Sequence, residues 1–330
     1  MSVASERTRT RRAELLRGLL FRHEGILLMI LAAALIVLAL QSEQFLTVDN
    51  LLNQGRLMTE IGLVALPMTF VIVTGGIDLS VGSIMGLCAI VLGYSWKNLG
   101  LPLEVAIVVA LATGTAAGFV NGWFITRVKV PPLIMTLATL ALYRGLAEGI
   151  SQAHSVRGYP EWFFVLGQGD VMGVPTQLWL LLLAIVIAWT VLARTIFGRA
   201  LYAIGHNETA ARFSGLPVDR YKTAIYTFSG FMAGLAGFIF VSRVSTTRSD
   251  MGTGLELDVI AAVVLGGTSI FGGVGTIAGT TIGFVLIQLL KNGLALTGVK
   301  GDATIVVIGT VLILSILITN FVQARRAGER

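Results

Sequence analysis

Apolar positions in this chain fall in long unbroken blocks. They do not alternate as in a half-buried strand, nor form the one-sided stripe of a soluble helix. Ten blocks stand out, at 25–40, 57–74, 81–96, 103–125, 133–150, 178–196, 223–241, 257–270, 276–296 and 303–321. A bilayer core about 30 Å thick takes roughly 20 apolar helical residues. Most blocks meet that length; 25–40 and 257–270 are short and need flanking residues to help. The expected fold class is an all-α polytopic membrane protein with about ten transmembrane helices. Barrel strands would show short alternating patterns, and none occur.

One interruption is conspicuous. The stretch VTGGIDLSVGS, from Val73 to Ser83, sets Gly75, Gly76 and Asp78 between two apolar blocks. A carboxylate at that depth costs several kcal/mol unless it is paired, capping or wet. The glycines break the preceding helix, and Asp78 or Ser80 can cap the next, where a carboxylate also meets the positive end of the helix dipole. Two roles follow from this pattern: Asp78 holds a broken helix in shape, or it touches a polar solute or a gate. Either way the break needs protein or a water-filled cavity around it.

The motif has an echo. GIDLSV at 76–81 matches GLELDV at 254–259, so Glu256 and Asp258 are candidates for the same capping part. GTAAGFVNG at 114–122 matches GTIAGTTIG at 275–283, in the same order. The halves 57–150 and 223–321 read as a duplication. An odd number of spans between the copies inverts them, and inverted repeats are a signature of transporters. The G-x-x-x-G spacings are read as close helix packing. GGVGTIAG resembles a dinucleotide fingerprint, but no strand precedes it.

Charge then fixes an orientation. With the N-terminus inside, 16 basic residues fall on inner segments and 6 on outer ones, as the positive-inside rule requires of an even number of crossings. Residues 1–24 and 322–330 are expected to be cytoplasmic tails flanking a membrane domain at 25–321. The net charge of +6 and pI near 9.8 are accounted for by topology, so nucleic acid is not an expected partner; membrane lipid is. Hydrophobic residues make up 55% of the chain and charged ones 13%, against roughly 25% charged in soluble domains. One cysteine permits no internal disulfide, and the three histidines lie too far apart for a metal site. No nucleophile–base pair suggests an enzyme, and no G-x-x-x-x-G-K-[ST] loop is present to bind ATP.

Two loops exceed a turn. The outer one, 151–177, mixes glycine, proline and aromatics; Trp162, Phe163 and Phe164 are expected at the membrane interface. In the inner one, 194–222, Asn207 is expected to cap a short helix through Ala210 and Phe213 that Gly215 and Pro217 end. Arg144 and Glu148, four apart, are expected to pair along one helix face, and Lys291 to snorkel outward. By residue type, Asn121, Thr136, Thr139 and Gln288 suit a path for a hydroxylated solute.

At VALPMTFVIVTGGIDLSVGS, AAVVLGGTSIFGGVGTIAG and IGHNETAARFSG the chain resembles the permease subunits of bacterial ATP-binding-cassette importers for sugars, the ribose, rhamnose and autoinducer-2 branch. RSDMG at 248–252 leans toward the latter two. The resemblance covers about 45–321. It implies a multi-pass protein of the bacterial inner membrane that imports a sugar or sugar-like signal. It also implies a second permease, an identical or similar chain, and a periplasmic binding protein that delivers solute. A separate ATPase would hold the ATP and magnesium, with no cofactor on this chain. The loop 194–222 matches the family's coupling element, with Gly205, Asn207, Ala210, Ala211 and Gly215 at the motif positions. The alternative the residues leave open is an ion- or proton-coupled carrier that works alone.

Overall fold

The computed structural model describes residues 23–299 and scattered positions between 301 and 313. The expected tail 1–24 (but for its last two residues), most of the tenth span and the tail 322–330 lie outside the described residues. The rest is mostly helical, and twelve α-helices have both ends among the described residues: α1 (His23–Gln41), α2 (Val48–Val73), α3 (Val81–Lys97), α4 (Leu103–Trp123), α5 (Pro132–Ser151), the short α6 (Val165–Gln168), α7 (Thr176–Arg194), α8 (Ile196–His206), α9 (Glu208–Phe213), α10 (Val218–Val244), α11 (Leu255–Leu265) and α12 (Ile277–Leu296). Six of the helical stretches are long and apolar enough to cross a membrane: α2, α4 with the π-turn that continues it to Val128, α5, α7, α10 and α12. The protein is an all-α, multi-pass membrane protein.

Below, the side of the bundle carrying the loop between α5 and α7 is called outer, and that carrying α8 and α9 inner. Helices α2 and α10 form the buried centre, while α4, α5 and α7 present most of their apolar surface outward. An apolar face that meets no protein is what a helix in lipid requires.

α2 starts at residue 48, nine positions before the expected block. Thr47 caps it, its side chain accepting from the Asn50 N–H, and its polar first turns find partners across the bundle. Asn50 bonds Asn292, and Gln288 donates to Gln54 at 2.9 Å. At the other end Thr69 meets Thr280 at 2.7 Å. The amide pairs let α2 stay helical where its sequence is not apolar, each worth about 0.6 kcal/mol in membranes. They also show that α2 and α12 run antiparallel over their whole length.

The glycine motifs are packing seams, as expected. A Cβ on Gly118 would strike the Tyr226 carbonyl and Gly230, so α4 and α10 touch backbone to backbone. Gly279 and Gly283 likewise lie against Gly266 and Ala262, joining α11 to α12. The two copies sit differently in the fold: the first runs through the second half of α4, the second opens α12.

The eighth block behaves unlike the others. α11 has 11 residues, about 16 Å of helix, half a bilayer core. α10 ends beside the outer half of α2, where Arg243 pairs with Glu60, and α12 begins at the inner end, where Thr280 meets Thr69. Residues 245–276 therefore cross the bundle as a non-helical segment, then α11, then a glycine-rich loop. Two small antiparallel sheets finish the outer side: β1 (Val156–Arg157) with β4 (Thr246–Thr247), and β2 (Asp170–Val171) with β3 (Val174–Pro175). Phe163 is buried in that cap, stacked on Tyr159 and touching Phe238, so of the three expected interface aromatics only Trp162 is substantially exposed.

Candidate functional site

The break after α2 is built from its glycines upward. Gly75 takes φ +76°, a conformation that ends a helix cheaply only in a residue without Cβ. Asp78 follows, fully buried. Its Oδ1 accepts from the Ser80 N–H at 3.0 Å and the Ser80 hydroxyl at 2.7 Å, and its Oδ2 from Ser229 on α10 at 3.1 Å. Asn121 donates to the Ser80 oxygen and Thr136 to the Ile77 carbonyl. Ser80 stands at the N-cap of α3 without a side-chain cap bond, because its hydroxyl is given to Asp78. Asn121, Thr136 and Asp78 thus form one buried knot between α3, α4, α5 and α10. Thr139, one turn along α5, bonds only backbone of its own helix.

The echo motif is arranged otherwise. Gly254, at φ +80°, stands at the N-cap of α11, and Glu256 and Asp258 lie within its first turn, without side-chain caps. Carboxylates there still face the positive end of the helix dipole. Asp258 makes an ion pair with Lys291 of α12, so Lys291 is tied inward and does not snorkel.

Between β4 and α11 the chain follows a glycine face of α3 for about three turns. Thr247 lies at Gly93, the Met251 carbonyl at Gly86, and the Gly252 carbonyl at Gly82. Non-helical backbone at this depth is tolerated only when protein or a wet cavity surrounds it. Arg144 of α5 holds it, one nitrogen donating to the Ser249 and Met251 carbonyls, the latter at 2.9 Å. The expected Arg144–Glu148 pair is absent from the ion pairs among the described residues. The carbonyls of a segment distant in sequence outcompete a carboxylate on the same helix.

This segment walls a polar cavity of about 490 Å³. Its charged lining comprises Glu60 on α2, Arg243 at the end of α10, the exposed pair Arg248 and Asp250 at the rim, and Asp258; Gln288 adds an amide. Arg243 donates to Glu60 at 2.8 Å, with its guanidinium over the Phe240 ring. Each charge in the lining has a partner within the chain. Of the residues expected on a path, Gln288 lines this cavity; Asn121, Thr136 and Thr139 do not. Glu60 and Arg243 escaped sequence reasoning because each lies in or beside an apolar block and only folding makes them neighbours.

The inner loop carries the second candidate surface. Asn207 caps α9, accepting from the Ala210 N–H at 2.9 Å, and Gly215 at φ +82° follows its end. Burial on its own would raise the Glu208 carboxyl, but hydrogen bonds from Lys222 and Arg212 outweigh it and hold it below its ordinary 4.5. Ala211, one of the motif positions, is 5% exposed, packed with Ile204 and Val218 in a small core of the loop. Ala210 faces out, and Phe213 is 89% exposed. The ring stands on a capped turn braced by the Glu208–Arg212 and Glu208–Lys222 ion pairs. Gly205 presses on the last carbonyl of α2 and on Gly273 in the loop before α12, so α8 rests on both non-helical loops at the inner side.

A polar cavity between membrane helices, walled by non-helical backbone and set above an inner loop that abuts two helix ends, defines a membrane permease. Residues 47–316 match the family described as branched-chain amino acid transport system / permease component. The chain belongs to that family. It is 42% identical over 286 residues to the ribose import permease protein RbsC of Bacillus subtilis (strain 168), covering 86% of this chain and 88% of that protein. To the RbsC of Escherichia coli (strain K12) it is 40% identical, covering 88% and 92%. To the autoinducer 2 import system permease protein LsrD of Escherichia coli O9:H4 (strain HS) it is 38% identical, covering 78% and 79%. No solved structure matches the chain.

Proposed function

We propose that this chain is the membrane permease subunit of an ATP-driven importer for a sugar or sugar-like signal molecule, and that the 490 Å³ cavity is the outer part of its path. The observation that carries the reading is the lining: every charge in it has a partner within the chain, and that suits a neutral, hydroxyl-rich solute, whereas an ion-coupled carrier would want an unpaired charge. The ribose and autoinducer-2 permeases among the relatives point to the same chemistry.

In this reading a periplasmic binding protein delivers solute above the cavity, and a second permease, identical or similar, completes the membrane unit. ATP and magnesium sit on a separate ATPase that docks on α9, with Phe213 as an anchor and Gly205, Asn207, Ala210, Ala211 and Gly215 shaping the contact. The complex lies in a bacterial inner membrane with both termini cytoplasmic. Ten crossings related by an inverted duplication remain part of the proposal, the passage 245–276 being the eighth and the block at 303–321 the tenth.

The test is reconstitution. The permease, co-purified with the ATPase and binding protein encoded beside it, should drive ATP-dependent uptake of labelled ribose or another member of a sugar panel into proteoliposomes. Uptake by the permease alone, driven by an ion gradient, would overturn the reading. Orientation is read separately, in a Cys88→Ala background: Met172→Cys should react from outside and Thr209→Cys from inside.

A further inference from the structure

The wall of the cavity is itself held by a device that the proposed path does not explain. Arg144 is a cation on a membrane helix that donates, among the described residues, to two backbone carbonyls, Ser249 and Met251, and to no carboxylate. One turn along the same face of α3, the Glu256 carboxylate lies against Gly82, and its Oε2 is buried without a hydrogen-bond partner among the described residues. The Arg144 guanidinium lies against Gly86. Gly82 and Gly86 are separated by about 6 Å of helix rise, within reach of a flexible arginine. A half-buried cation on neutral acceptors beside a half-buried carboxylate, one oxygen of which is buried without a partner, is an arrangement with a second, equally sensible pairing. The segment between them is non-helical from Arg248 to Gly254, and Gly252 (φ +73°) and Gly254 (φ +80°) stand at its inner end.

We infer that Arg144 is the positioning residue for a gate formed by residues 248–254, and that it opens this gate by exchanging the Ser249 and Met251 carbonyls for the Glu256 carboxylate. With Arg144 on the carbonyls, the Gly252 backbone lies on Gly82 and closes the way from the cavity to the Asp78 knot. With Arg144 on Glu256, the segment is released from α3 and the cavity extends inward. The exchange replaces two hydrogen bonds to neutral acceptors by an ion pair with a carboxylate, which offsets the loss of the backbone contact. This inference rests on the proposed path.

The experiment uses the reconstituted complex of permease, ATPase and binding protein, with Cys88→Ala and a single reporter, Ser83→Cys, beside the Gly82–Gly252 contact. A charged, membrane-impermeant methanethiosulfonate is added from outside without ATP. With Arg144 intact the reporter should be protected. Arg144→Met should raise its reaction rate at least tenfold from outside and leave the rate from inside unchanged, which a general loosening of the fold would not do. Glu256→Gln should keep the reporter protected and lower labelled-sugar uptake at least fivefold, with the complex still assembled. Should Arg144→Met fail to fold, Gly252→Ala supplies a second opening: its Cβ would strike the Gly82 carbonyl and lift the segment. A protected reporter in folded Arg144→Met or Gly252→Ala, or full uptake by Glu256→Gln, overturns the gate. Failure of the unmodified complex to carry any sugar overturns the path instead, so the two readings fail separately.

Discussion

The carbonyl of Val73, the last residue of α2, accepts a hydrogen bond from the backbone N–H of Gly273 at 2.8 Å. The two residues are 200 positions apart, and the bond ties the end of the central helix to the loop that precedes α12. Gly205 of α8 lies directly against this bond. A shift of the inner loop is therefore felt at once by both non-helical elements, the break at Gly75 and the loop 266–276. Packed contacts of this kind transmit small displacements because they do not compress.

The first prediction follows from that contact. Gly205→Ala adds a methyl where the Val73 carbonyl already sits, an overpacking of about 1–3 kcal/mol. The thermal midpoint of the detergent-solubilised permease should fall, and sugar uptake per ATP hydrolysed should fall with it. An unchanged midpoint with unchanged uptake would show that the contact carries nothing.

Asp78 is held by three donors, and the second prediction separates its shape from its charge. Asp78→Asn can still accept from the Ser80 N–H and can donate to Ser229, so folded protein and much of the transport should remain. Asp78→Leu strands the Ser80 and Ser229 donors at about 1–3 kcal/mol each and should lose most folded protein on size-exclusion chromatography. Normal folding with abolished transport in Asp78→Asn would assign the carboxylate a direct part in transport.

Glu60 and Arg243 form a largely buried pair in the cavity wall, Glu60 the deeper of the two. Removing one partner leaves a buried charge alone, at a cost of about 3–5 kcal/mol for a fully buried pair and less here. Glu60→Gln and Arg243→Gln should each destabilise, while the double variant should be more stable than the sum of the two losses. A double-mutant cycle on unfolding midpoints reads the coupling, and additive losses would remove the pair from the account.

The inner loop separates a packing residue from the proposed docking residue. Ala211→Arg forces a guanidinium into the small core of Ile204 and Val218 and should unfold the loop. Phe213→Ser touches no packed neighbour and should change stability by no more than about 0.5 kcal/mol. It should weaken ATPase association at least tenfold, about 1.4 kcal/mol. Unaltered association of the folded Phe213→Ser permease would place the ATPase contact elsewhere.

Acid should loosen the same loop. Because the folded-state value of Glu208 lies below its ordinary 4.5, its contribution is fully present above 4.5 and is lost as pH falls through the lowered folded value. Hydrogen-exchange protection of the helix Glu208–Phe213 should drop across that interval in the unmodified chain. Glu208→Gln should flatten the profile, and an equally steep drop in that variant would point to another group.

Local chemistry by itself determined much of this protein. Apolar block length against bilayer thickness gives an all-α membrane protein. The Asn207 cap, the Gly215 stop, the break at Gly75 and the G-x-x-x-G seams each follow from backbone rules that operate within a few residues. What sequence could not supply is pairing at a distance. Arg144 and Glu148 satisfy helix spacing, yet Arg144 turns to the Ser249 and Met251 carbonyls, because a half-buried cation goes to the acceptors that the fold brings nearest. Lys291 has an outward route along its own helix but meets Asp258, 33 positions earlier. α2 begins at Val48 because Gln54 and Asn50 find amides on α12, and Ala211 is buried because Val218 folds back over it. The cavity is the plainest case: Glu60, Arg243, Asp258 and Gln288 come from four different helices, and only the tertiary fold puts them around one space.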